Sequence, residues 1–108
     1  MYNNSSRFYN DCGCPCCRKD ANFNAIMGVI NSGMDILRRT CHHRMPPDFH
    51  VLQSWQSDAQ YTLRMISSDC NRDVYLEYLR FLTSIAYLSP CEQLNHSIDK
   101  LLNIAHRI

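Results

Sequence analysis

From residue 20 onward, apolar residues recur at intervals of three and four. That spacing gathers them on one side of an α-helix and of no other regular element. The first such stripe is Phe23, Met27, Ile30, Met34, Leu37 and Cys41. Asp20 or Asn22 is placed to cap the helix that carries it. Gly28 and Gly33 interrupt it. Each either weakens the helix by up to about 1 kcal/mol relative to Ala or lets a neighbouring helix come close. Pro46 and Pro47 stop the segment, and Asp48 caps the next.

A second helix is expected from about Asp48 to Ser67, with Phe49 ahead of a stripe of Leu52, Trp55, Ala59, Leu63 and Ile66. Residues 67–73 read as a connection in which Asp69 or Asn71 caps the third helix. That helix, from about Arg72 to Leu88, is apolar nearly all round: Val74, Tyr75, Leu76, Tyr78, Leu79, Phe81, Leu82, Ile85, Tyr87 and Leu88. A helix of this kind is either central or covered by a partner. The start of the fourth is marked by Ser89-Pro90-Cys91-Glu92, a Ser cap, Pro at the first helical position and Glu three residues after the cap. Its stripe is Cys91, Leu94, Ile98, Leu101, Ala105 and Ile108.

No period-2 run bounded by turn residues marks a strand, and no segment repeats at a fixed period. A chain of 108 residues makes one domain. The expected fold is therefore all-α. It is an antiparallel up-down-up-down four-helix bundle over residues 20–108, preceded by a cysteine-rich N-terminal arm over residues 1–19.

Seven cysteines and five histidines are the main chemical resource. Alternating helix direction sorts them into two poles. One pole collects the arm cysteines with Cys70 and His106; the other collects Cys41, His42, His43, His50 and Cys91. Four thiols within six residues are dense enough to bind a soft cation, since zinc takes four thiolate or imidazole ligands. Cys14 and Cys17 have the spacing of a zinc knuckle. One ion cannot take all four thiols of so short a loop, so the expected structural zinc site is Cys12, Cys14, Cys17 and Cys70, with Cys16 or His106 as substitutes. The second half of a standard zinc pattern is missing. Disulfides or free thiols in the arm remain open beside metal.

At the other pole, Cys41, His42, His43, His50 and Cys91 are a second candidate zinc set. A Cys41–Cys91 disulfide and plain packing are the competing readings. Packing has the stronger claim, because both cysteines sit on core stripes and the histidines follow Arg38 and Arg39 at a helix C-terminus.

Composition narrows the function classes. The formal net charge is +1, with 19% charged residues, which gives no general attraction for nucleic acid or anionic membrane. No apolar run approaches the roughly 18 residues of a membrane span. The N-terminus lacks the apolar stretch of a secretory signal, so a cytoplasmic or nuclear location is expected. A reducing compartment favours metal over disulfide. Phosphate loops, nucleophile elbows and paired-histidine metalloprotease helices are absent from the sequence, and the chain is expected not to be an enzyme. Tyr75, Tyr78 and Tyr87 supply aromatic anchors for a protein interface on the third helix; the alternative is that this helix is the bundle centre.

The leading reading is a non-enzymatic structural, assembly or adaptor protein. It binds a protein partner, or a second copy of itself, through apolar helix surface. A zinc-dependent nucleic-acid binder is the alternative, with Arg7, Arg18 and Lys19 beside Phe8 and Tyr9, and Arg38, Arg39 and Arg44 as a second patch. A thiol-disulfide oxidoreductase using Cys14 and Cys17 is a third, although no strand precedes that pair. A small helical body behind a cysteine-rich arm is similar in general style to accessory and structural proteins of large DNA viruses, a likeness that no motif carries.

Overall fold

The computed structural model describes residues 19–70 and 73–107, the side chains at 19 and 68–70 excepted. These residues form four α-helices and no strand: α1 (Lys19–Arg39), α2 (Phe49–Cys70), α3 (Val74–Ser84) and α4 (Pro90–Ala105). A short 3-10 turn, Cys41–His43, follows α1. Helix α1 packs on α2 and α4, and α3 packs on the same two helices. These contacts fit an antiparallel bundle. The cysteine-rich arm lies outside the described residues.

The helix ends follow local chemistry. Asp48 caps α2 as expected, its carboxylate accepting the His50 N–H at 2.8 Å. The α3 cap is Asp73, which accepts from Leu76, and not Asp69 or Asn71. Helix α2 continues into the segment read as a connection, as far as Cys70. Ser67, on its last turns, accepts the Tyr75 N–H of α3 at 2.9 Å and so ties the two helices at their junction. The capping box at Ser89 and Glu92 is present in both halves.

Helix α3 is shorter than its apolar pattern implies, ending at Ser84 instead of Leu88. Residues 85–88 turn back tightly, with Leu88 N–H bonded to Ile85 C=O at 2.9 Å. Gln93 of α4 donates to the Ala86 and Leu88 carbonyls at 3.3 and 2.9 Å, supplying partners that a continued helix would have provided.

All five stripe residues of α2 are buried: Leu52, Trp55, Ala59, Leu63 and Ile66. They meet Ile26 and Ile30 of α1, Val74 and Tyr78 of α3, and Leu94, Ile98, Leu101, Ile104 and Ala105 of α4 in one core. On α1 the stripe is corrected. Phe23 and Met34 are exposed at 37% and 41%, while Ile26 and Gly33 are buried. The cause is Trp55. Its indole lies against Gly33, and its Nε1–H donates to the Val29 carbonyl at 2.8 Å. A side chain at position 33 would keep the ring away from the backbone it bonds to. The close-approach reading therefore holds for Gly33 and not for Gly28, which has open space around it.

On α3, Glu77 bridges to Lys100 (2.7 Å) and Arg107 of the α4 end. Lys100 also sits over the Phe81 ring, 5.7 Å from its centroid.

Candidate functional site

The turn between α1 and α2 is built by backbone hydrogen bonds. His43 and Met45 N–H groups donate to Thr40 C=O, and Arg44 N–H donates to Cys41 C=O. Arg44 reverses the chain in the left-handed region, at φ 61°. This geometry sets Cys41 beside the first turn of α4, where it forms a disulfide with Cys91 (Cα–Cα 5.9 Å). The expected gathering of Cys41 and Cys91 is therefore present, as a covalent bond. The two residues are 50 apart in sequence. Closing a loop of that size costs the unfolded chain entropy equivalent to about 4 kcal/mol of native stability on the chain-entropy account.

His42 and His43 are exposed on the 3-10 turn, and His50 is exposed on the first turn of α2, edge-on to Phe49 with ring centroids 6.0 Å apart. No group of three or more His, Cys, Asp or Glu side chains suited to a metal ion occurs among the described residues. The sulfurs of Cys41 and Cys91 are taken by each other. At the opposite pole, His106 follows α4 and is exposed, and Cys70 is the last residue of α2. Cys12, Cys14, Cys16 and Cys17 lie outside the described residues, as does the side chain of Cys70. The first zinc set therefore stands on sequence spacing alone.

Of the three tyrosines singled out from the sequence, Tyr78 is in the core with no exposed surface. Burial raises its hydroxyl to about 12, and the nearby Ser97 hydroxyl eases that shift. Neither hydroxyl completes a hydrogen bond of normal geometry. Tyr78 is thus an interior residue. Tyr87 is 83% exposed in the turn after α3, and Tyr75 is half-buried at the α2–α3 seam.

Exposed apolar residues also lie on α2, interspersed with polar ones. Val51, Ser54, Asp58, Tyr61 and Met65 follow one another at 3, 4, 3 and 4 residues, which places them on one face away from the core stripe. Val51, Tyr61 and Met65 are 44%, 64% and 49% exposed. Two shallow grooves flank this face. One, of about 310 Å³, lies between α1 and α2 and is lined by Ser32, Ile36, His50, Val51, Ser54, Trp55 and Asp58. The other, of about 170 Å³, lies between α2 and α3 and is lined by Ser57, Gln60, Tyr61, Arg64 and Tyr75. The signal for this face is present in the sequence as apolar residues off the core stripe of α2.

The second basic patch is partly neutralised. Arg38 and Arg39 both bond to the Asp35 carboxylate, at 3.1 and 2.7 Å. Among the described residues, no helix is long and apolar enough to cross a membrane.

The chain matches no protein family model, and no curated protein or solved structure is similar to it.

Proposed function

We propose that this chain is a non-enzymatic assembly or adaptor protein, an up-down-up-down bundle whose outer α2 face docks an apolar segment of a protein partner or of a second copy. The observation that carries this reading is the second stripe on α2. Val51, Tyr61 and Met65 are exposed on one α2 face, which they share with Ser54 and Asp58, and that face runs between two grooves. Tyr75 continues the surface across the α2–α3 seam and keeps its place as an interface residue. The Asp35 bridges to Arg38 and Arg39 weigh against phosphate binding by that patch. A structural zinc held by Cys12, Cys14, Cys17 and Cys70 belongs to the proposal on spacing alone. Metal analysis of protein purified without chelator checks it: one zinc per chain is expected, and metal-free protein with those thiols free or disulfide-bonded removes it.

The docking face is tested with a photo-crosslinking side chain at position 61 in cells of the source. A single discrete adduct is expected, identified by mass spectrometry as a protein partner or the chain itself. It should re-form from purified components and be lost in a Val51→Asp, Met65→Asp double variant whose circular dichroism is unchanged. Scattered adducts that survive the double variant would remove the reading.

A further inference from the structure

We infer that the occupant of the α2 face is a second copy of this chain, paired antiparallel about a two-fold axis at Tyr61, with Asp58 of each copy set against Arg64 of the other. The inference rests on the docking face proposed above and names what covers it. Asp58 and Arg64 stand three residues before and three residues after Tyr61 on α2. The helical rise puts them about 4.5 Å to either side of it along the axis, and the helical turn puts them about 60° to either side around it. Both are exposed. Among the described residues, ion pairs join Asp35 to Arg38 and Arg39, and Glu77 to Lys100 and Arg107; Asp58 and Arg64 enter none of them.

In an antiparallel pair centred on Tyr61, each residue before it lies level with the residue equally far after it in the other copy. Asp58 then meets Arg64, and because a two-fold contact is self-complementary, the pair forms twice. Helix axes about 8–10 Å apart leave a gap that an arginine side chain spans. Ser57 and Met65, four residues to either side of Tyr61, also fall level, a small side chain against a long one. Other registers are disfavoured by charge. An axis at Asp58 sets the two carboxylates against each other, an axis at Arg64 does the same to the two guanidinium groups, and a parallel pair in register does both. Tyr61, Arg64 and Tyr75 share the α2–α3 groove and are residue types enriched at protein interfaces. A different protein would need its own charges at this spacing; a second copy has them.

The test is sedimentation equilibrium of the full chain with free thiols alkylated, as wild type, as Asp58→Arg, as Arg64→Asp and as an equimolar mixture of the two variants. The wild type is expected to dimerise. Each variant alone sets like charges against each other at both pair positions, and its dissociation constant is expected to rise at least about tenfold. In the mixture every pair is again arginine against aspartate, and the heterodimer is expected to recover wild-type affinity to within about threefold. Far-UV circular dichroism of each variant is expected to match the wild type, since both positions are exposed. A wild type that stays monomeric at millimolar concentration, a dimer that both variants leave intact, or a mixture that does not recover overturns the pairing. The cross-link from position 61 separates this outcome from loss of the docking face itself. Monomeric wild type with a discrete adduct to a different protein overturns the second-copy assignment and leaves the face standing, whereas scattered adducts remove both.

Discussion

Replacing each helical glycine of α1 with alanine should have opposite effects, and the difference measures how tightly α2 is seated. At Gly33 an added Cβ would meet Trp55 Cζ2 at 2.5 Å, Cε2 at 2.7 Å and Nε1 at 3.0 Å. These atoms belong to a rigid ring that is 3% exposed, so the indole must shift as a whole. Overpacking of this kind costs about 1–3 kcal/mol. Displacement also lengthens the 2.8 Å bond from Nε1 to Val29, and a buried donor left without its partner costs about 1–3 kcal/mol. Alanine's better helix propensity returns about 1 kcal/mol. The net expectation for Gly33→Ala is a loss of about 3 kcal/mol, or about 15 °C in melting temperature for a domain of this size. At Gly28 an added Cβ meets nothing within 4 Å. There the propensity gain stands alone, and stability rises by up to about 1 kcal/mol. Urea denaturation followed by far-UV circular dichroism gives both values. Trp55 is the sole tryptophan, so its emission reports the ring directly. A Gly33→Ala protein as stable as Gly28→Ala, with unchanged emission, would refute the seating of Trp55 on α1.

Two other perturbations test the α3–α4 seam. Tyr78 stays protonated in the native state up to about 12, against an ordinary value of 10.0, so its contribution is intact below pH 10 and drains as pH rises from there to 12. The wild type should lose on the order of 1.4 kcal/mol per pH unit more than Tyr78→Phe across that window in denaturant titrations, and equal slopes would show the hydroxyl to be solvated. At neutral pH Tyr78→Phe should be neutral or slightly stabilising, because its hydroxyl has no hydrogen-bond partner to lose. Bonds from Arg107 and Lys100 hold the Glu77 carboxyl below its ordinary 4.5. Its support is therefore present above about pH 4.5 and is lost as pH falls through the depressed native value. Glu77→Gln should cost no more than about 1 kcal/mol at pH 7, since the carboxylate is about one-third exposed, and it should flatten the acid limb of the stability curve. An unchanged acid limb would show that the bridges do not form in solution.

Most of the helical scaffold was legible because its signals are local. The α4 cap needs only four consecutive residues, and the α2 stripe is unbroken by polar residues. The α1 face was misjudged because glycine carries no hydropathy signal. Two overlapping series, one through Phe23 and Met34 and one through Ile26 and Gly33, share Ile30 and both have helical spacing. Trp55 decides between them, and Trp55 lies on another helix. The early end of α3 was hidden for a related reason: the apolar residues continue to Leu88, while the turn that ends the helix is held by Gln93, five residues further on. The meeting of Cys41 with Cys91 followed from alternating helix direction. Its outcome as a bond depended on the reversal at Arg44, for which the sequence has no glycine or asparagine to mark it.

The disulfide map of the oxidised protein bears most directly on how the helices are arranged. Thiols are blocked in the native state, and the chain is then digested with trypsin without reduction. Thr40–Arg44 joined to Phe81–Lys100 is the predicted species, because the end of α1 lies against the start of α4. Recovery of either peptide joined instead to the one carrying Cys70, or to the arm cysteines, would contradict that arrangement.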